Sequence, residues 1–192
     1  MSLMSQLLLL TLITATAIAG EPVASVYTKF PDDPAKRCKV LEQGSNQDPP
    51  PDYVKAECPG YQKYRVRYST DGDHGSILAL FHSGTRQESS LTTIPTIEEG
   101  VLCPQGFTWV TAKQLEWRVE KNVPFALIYR VNCEGLSRET PTVTEILAVA
   151  SVSPIRSCLI GRVIATGNPE ANNQARTLAD TKARSIKCPA VP

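Results

Sequence analysis

The sequence predicts an α+β domain: an antiparallel β-sheet of about six or seven strands with one C-terminal α-helix laid on it, stabilised by disulfides. Three observations predict it. Between Tyr64 and Thr166 the chain passes through segments of strand length, alternating or continuously apolar, separated by polar loops. Beyond Asn168 the apolar period changes to that of a helix. Six cysteines, an even number, follow an apolar N-terminal leader. A β-sandwich with an appended helix is the second architecture that the same pattern admits.

The leader, residues 1–19, carries an uncharged run from Leu7 to Ala19 that ends in Ala17-Ile18-Ala19. A short apolar run closed by small residues at this spacing marks a secretory signal peptide. The run is shorter than the roughly 20 residues that span a bilayer. No Lys or Arg precedes it, so the usual basic flank is missing, and Gly20 rather than a cysteine follows the cut, which argues against a lipid anchor. The mature chain, 20–192, is expected to be one domain with enough residues to bury its own core. It divides into a Pro-rich loop segment over 20–60 and the main α+β part over 61–192. The net charge of +1 gives no general attraction to nucleic acid or anionic membrane.

Cys38, Cys58, Cys103, Cys133, Cys158 and Cys188 imply disulfides and hence a secreted or periplasmic location. There is no Cys-x-x-Cys, and the two histidines lie elsewhere in the chain, so zinc and thioredoxin-like readings are weak. Sequence alone does not choose among the pairings. The order of the elements suggests a sequential scheme, 38–58, 103–133 and 158–188. No Asn-x-Ser/Thr sequon occurs.

Within 20–60, prolines 31, 34, 49, 50, 51 and 59 punctuate the chain, and only Arg37 to Glu42 reads as a short strand. A 38–58 bridge would tie this segment down, worth about 3 kcal/mol for a loop of ~20 residues. Tyr64, Val66 and Tyr68 then alternate with Arg65, Arg67 and Ser69, a half-buried strand. The stretch Ser69-Thr70-Asp71-Gly72-Asp73-His74-Gly75 leads into the apolar run Ser76 to His82, and an Asp-Gly between two such runs is hairpin chemistry. Residues 83–106 read as a long connection. Phe107 to Thr111, Leu115 to Glu120, Pro124 to Val131, Glu145 to Val152 and Cys158 to Thr166 read as strands. A helix is expected over about 169–186, with Asn168 as cap, Pro169 in the first turn, and Lys182, Arg184 and Lys187 at the C-terminal end, where cations are favoured. Its stripe of Ala171, Ala175, Leu178, Ala179 and Ile186 is mostly alanine, so it can lie close to a sheet. A 158–188 bridge would clamp it there.

Four stretches carry a resemblance: Lys36 to Glu42, Glu57-Cys58-Pro59-Gly60-Tyr61, Leu115-Glu116-Trp117-Arg118 with Pro124-Phe125-Ala126, and Asn168-Pro169-Glu170-Ala171-Asn172 leading through Ala175-Arg176 and Ala179-Asp180 to Cys188. In these the chain resembles a group of uncharacterised small secreted proteins of proteobacteria. The resemblance implies secretion and suggests 38–58 and 158–188 as the core bridges. The strand Cys158 to Ala165 departs from the aromatic strand of that group, and Cys103 and Cys133 look like additions. The group brings no known activity, cofactor or catalytic residue.

The segment Asp71-Gly72-Asp73-His74 is the most site-like stretch. As a calcium loop it fails, because the twelfth position counted from Asp71 is His82 rather than a bidentate Glu, and the glycines are misplaced. His74 and His82 stand at opposite ends of one strand, about 26 Å apart at the usual rise, so they do not share a metal. Ser83 beside His82 is poor triad geometry, since strand neighbours point to opposite faces. There is no Gly-x-Ser-x-Gly and no His-Glu-x-x-His. Paired carboxylates could come from Glu98-Glu99 or from Glu116 and Glu120, but nothing in the sequence sets their separation. No residue is therefore named as catalytic or metal-binding, and no cofactor is expected.

Arg65, Arg67, Arg118 and Arg130, with Arg162 as a fifth, fall on strand positions flanked by apolar residues. If those strands share one sheet, the guanidiniums share its outer face and suit a carboxylate or phosphate partner. The alternative is a solvated face with cross-strand ion pairs to Glu116 and Glu120. Trp109 and Trp117 are expected in the core. The expected function is a non-enzymatic binding or accessory protein whose partner is an unidentified protein or anionic envelope polymer. One version is an inhibitor of an envelope-targeting hydrolase such as lysozyme. The alternative from another class is a small secreted hydrolase with dispersed carboxylates.

Overall fold

In the segment Val123–Glu134 the apolar residues do not alternate; Phe125 through Tyr129 are all buried. The same holds for Ile146 through Ala150 in Val143–Ser151. A strand reads this way when both of its faces are covered, and the computed structural model shows what covers them. It describes residues 22–44, 53–71, 75–92, 102–103, 106–135 and 143–189; the leader with its cleavage pattern lies outside these.

The elements run β1 (Ala24–Lys29), α1 (Pro34–Arg37), β2 (Lys39–Gln43), β3 (Tyr53–Pro59), β4 (Tyr64–Asp71), β5 (Ser76–His82), β6 (Gln87–Ser90), β7 (Phe107–Val110), β8 (Gln114–Glu120), β9 (Val123–Glu134), β10 (Val143–Ser151), β11 (Cys158–Ile164) and α2 (Ala171–Lys182). The α+β class, the antiparallel pairing and the C-terminal helix are as expected. Among the described residues the strands number 11, more than expected, and they divide between two sheets, as in the second architecture that the sequence admits. Sheet A has the order β1-β8-β9-β10-β11, with β7 also pairing β9; sheet B has the order β2-β3-β4-β5-β6.

The two sheets enclose one core. Val66, Leu78 and Leu80 from sheet B meet Leu115, Trp117, Leu127, Tyr129, Val131 and Ile146 from the inner face of sheet A. The outer face of sheet A, with Ile128, Leu147, Val149 and Ile160, packs under Ala171, Ala175, Ala179 and Ala183 of the α2 segment. The layers are thus sheet B, sheet A and helix. Alanine on the helix lets it approach the sheet closely. Opposite it, a Cβ on Gly161 would stand 2.8 Å from Leu178 Cδ2.

At one corner the sheets are joined through the backbone. Gly75 bridges Thr108, and Ser76 Oγ accepts from Val110 N at 2.7 Å. Gly75 sits at φ +104°, and a Cβ there would fall 2.4 Å from Thr108 O, so both conformation and space call for glycine.

The segment 20–60, expected to be loop apart from a strand over Arg37 to Glu42, supplies three strands, of which β2 lies at the expected place. β1 forms an edge of sheet A, and β2 and β3 build sheet B. β3 alternates Val54, Ala56 and Cys58 inward with Lys55 and Glu57 outward. Small and charged residues gave this alternation a weak signal, and the prolines masked it. The connection over 83–106 likewise contains β6. Asn168 does not cap α2: the N-cap is Glu170, with no side-chain cap bond. Asn168 Oδ1 instead accepts from Glu170 N and organises the preceding turn.

The three bridges join Cys38–Cys58, Cys103–Cys133 and Cys158–Cys188. The last ties β11 to the chain just past α2, as expected. Such cross-links fit an oxidising environment. No described helix is long and apolar enough to cross a membrane.

Replacing Cys158 and Cys188 together by alanine should lower stability by about 3 to 4 kcal/mol for a loop of ~30 residues. Urea unfolding measures this; a loss below about 1 kcal/mol would mean that the bridge does not hold the helix.

Candidate functional site

Helix and strand have different repeats, and α2 docks where they coincide. Residues four apart on a helix are separated by about 6 Å, and residues two apart on a strand by about 6.8 Å. Arg176 and Asp180 on α2 therefore meet Glu116 and Arg118 on β8 as two ion pairs. Arg118 Nε and Nη2 reach the two Asp180 oxygens at 2.9 and 2.6 Å. Arg176 Nε and Nη2 reach the two Glu116 oxygens at 2.7 and 3.2 Å. Ser25 of β1 donates to Glu116 and accepts from Arg118, and Arg176 also donates to Tyr27 OH. Glu116 holds the Arg176 guanidinium in its charged form by raising its pKa. Glu116 and Arg118 are both buried.

Arg118 is thus a docking residue for α2, and it is not part of an open patch. Arg130 lies on the same outer face of sheet A and pairs with Glu145. Arg162 lies on β11 and donates to the Leu102 carbonyl at 2.9 Å. Only Arg65 and Arg67 lie on sheet B, where they point away from the core. The strands expected to share one sheet are divided between two, so the five arginines form no common patch.

The outer face of sheet B carries its own order. Arg67 lies over the Phe81 ring at 3.9 Å and pairs with Glu57 at 2.9 Å and with Glu88. Lys55 reaches Glu88 at 2.9 Å. Burial pushes the Glu88 carboxyl up, but the Lys55 and Arg67 bonds outweigh this and hold it below its ordinary value. Arg67 is therefore neutralised. Arg65 differs: among the described residues it donates only to the carbonyls of Gln62 and Tyr64, each at 3.2 Å.

Beside Arg65 the Cys38–Cys58 bridge draws the end of α1 and the start of β2 onto β3. Pro59 pairs with Arg65, and Lys39 pairs with Glu57. The result is a shallow hollow of about 410 Å³ bordered by Arg37, Lys39, Arg65, Pro59, the bridge and Glu57, whose carboxylate is taken up by Arg67. Arg37 and Lys39 are exposed. None of these three cations has a carboxylate partner among the described residues. Sequence reasoning found Arg65 but not Arg37 or Lys39. The signal was there in Lys36-Arg37-Cys38-Lys39, because a 38–58 bridge carries those cations to the strand beside β4.

The hairpin expected around Asp71-Gly72-Asp73-His74 is present: β4 and β5 pair with Thr70 opposite Ser76. Residues 72–74 themselves, and Glu98 and Glu99, lie outside the described residues. His82 closes the far end of β5, packs against the Tyr64 ring at 4.8 Å and bonds Thr85 Oγ1 at 3.0 Å through Nδ1. Burial pushes the Tyr64 phenol up to about 12. No group of three or more His, Cys, Asp or Glu among the described residues could hold a metal. Trp117 is fully buried as expected, with Nε1 donating to Thr28 Oγ1 at 2.9 Å. Trp109 lies half-buried on β7, its Nε1 without a partner among the described residues.

Comparison with family models, with curated proteins and with solved structures returns no match.

Arg118→Ala should cost about 2 kcal/mol by removing the charged bonds to the half-buried Asp180 carboxylate. In a cycle with Asp180→Ala the pair should couple by at least about 1 kcal/mol in urea unfolding; additive losses would contradict the docking role. Glu88 adds stability above its ordinary pKa of 4.5, and that share is lost as pH falls through its lowered folded value. Glu88→Gln should therefore flatten the loss of melting temperature on acidification below pH 4.5; an unchanged acid slope would contradict the pairing.

Proposed function

We propose that the protein is a secreted or periplasmic binding or accessory protein, without catalytic activity of its own, that engages an anionic partner through the basic end of the outer face of sheet B. The observation that carries this reading is the group of Arg37, Lys39 and Arg65. Elsewhere on the strands, the arginines of the expected patch are either paired to carboxylates or, for Arg162, bonded to a carbonyl. Here three cations stay unneutralised by any described carboxylate, on elements fixed by a disulfide. Arginine offers paired donors that suit carboxylate or phosphate, and a shallow, fixed surface suits a macromolecular partner such as an acidic protein or an envelope polymer. Of the carboxylates that the hydrolase reading names on β8, Glu116 is held by Arg176, and Glu120, at the end of the strand, has no second free carboxylate paired with it among the described residues, since Glu57 and Glu88 on sheet B are likewise held by arginine or lysine. The leader pattern, the three bridges and the resemblance to small secreted proteins of proteobacteria support the location. Inhibition of an envelope-targeting hydrolase is the version of this function in which the partner is that enzyme.

The test is retention of an envelope extract and a panel of lysozymes on the immobilised, disulfide-bonded protein, read by mass spectrometry. Wild type should hold a saturable partner, and the Arg37→Gln, Lys39→Gln, Arg65→Gln triple variant should lose it while melting normally. Equal retention by the triple variant would move the site elsewhere, and an empty column at low salt would remove the binding reading.

A further inference from the structure

A second group of cations without a carboxylate partner among the described residues, Arg156 and Arg184, lies away from the sheet B face, where α2 ends. The chain leaves α2 at Ala183, and Arg184 then turns back over the Phe125 ring at 4.1 Å. Arg156, on the β10–β11 connection, reaches the Cys188 carbonyl at 3.5 Å. Arg184 makes a similarly long bond, 3.4 Å, to the Asp180 carbonyl. Each guanidinium thus has one weak backbone contact and no carboxylate among the described residues, since the Asp180 side chain is turned to Arg118.

The two arginines line one hollow of about 350 Å³, whose other walls include Phe125, Ile155 and Ile186. No carboxylate among the described residues lines it. That volume lies in the range of small-molecule sites, roughly 300 to 1,000 Å³. Cations near a helix C-terminus complement the macrodipole, but Lys182 in the last turn already serves that purpose. The dipole gives no reason for Arg156, which comes from another element, or for the apolar wall. Ile155, at 70% exposed, is the most exposed large hydrophobic residue described, and it stands at the rim.

We infer that this hollow binds a small amphiphilic anion, its carboxylate or phosphate held between Arg156 and Arg184 and its apolar tail laid along Phe125, Ile155 and Ile186. The site is separate from the sheet B face and does not depend on that reading. A neutral molecule with the same tail lacks the guanidinium contacts, and a bare anion lacks the apolar contact, so each half alone binds more weakly. The Cys158–Cys188 bridge anchors the segment that carries Ile186, so an intact bridge is part of the site.

The test is a backbone-amide NMR titration of the disulfide-bonded protein with hexyl phosphate, hexanoate, hexanol and inorganic phosphate. Either hexyl anion should bind saturably, with shifts centred on residues 125, 155–156 and 184–186. Hexanol and inorganic phosphate should each bind at least about tenfold more weakly, the share of one charged hydrogen bond or a small apolar contact. Arg156→Gln and Arg184→Gln, checked for an unchanged melting temperature, should each weaken hexyl phosphate by about tenfold or more. Lys113→Gln, at an exposed turn, should leave it unchanged. Equal binding of hexanol, saturation unaffected by the arginine variants, or no saturation by either anion would overturn the inference.

Discussion

The middle of sheet A is covered on both faces, and that constraint organises the molecule. Its inner side is the floor of the sandwich and its outer side is the seat of α2. A sheet covered twice needs apolar residues at consecutive positions, which is why β9 and β10 read as unbroken runs. It also needs a helix that lies flat on it. The alanine stripe of α2 and Gly161 provide that fit. Polar residues under the helix must then be satisfied within the interface. Glu116 and Arg118 are, because the helix presents Arg176 and Asp180 at a matching interval. A buried charge pair adds little net stability over a good apolar contact, but it penalises misregister strongly. The network therefore sets where along β8 the helix lies, and the bridge at Cys188 secures its end.

Sheet B has the opposite character. It covers the core with one face and gives the other to solvent, so its strands alternate. Its outer face is organised around Arg67, which is stacked on Phe81 and flanked by two carboxylates. The cations beside that cluster, Arg37, Lys39 and Arg65, are brought together by the Cys38–Cys58 bridge, and no described carboxylate neutralises them. The proposed function rests on this face because charge is left unbalanced there without a structural use for it.

Much of the fold was legible because its strongest signals were local. β4, β5 and β7 to β11 had apolar residues in strand-length runs, and α2 had alanines at helical spacing. Two features were not legible. The alternation of β3 rests on Val54, Ala56 and Cys58, whose small side chains carry a faint signal between prolines. The choice between one sheet and the two of a sandwich, both of which the pattern admitted, is a matter of long-range pairing: β1 joins β8 across about ninety residues of chain, and no local pattern specifies that. The site was legible only where the reasoning stayed local. Arg65 and Arg67 share one strand and one face. Arg118 has the same strand pattern, but its face is covered by a helix whose matching residues lie about sixty positions away. An arginine flanked by apolar residues reads the same whether water or a helix lies above it.

The central claim is that unneutralised charge on sheet B marks the working surface. An amide NMR titration with a short poly-aspartate tests it directly, whatever the natural partner is. The account predicts shifts centred on residues 37–39, 57–59 and 65 that collapse at high salt. Shifts spread evenly over the surface lysines, or centred on any other strand face, would contradict it.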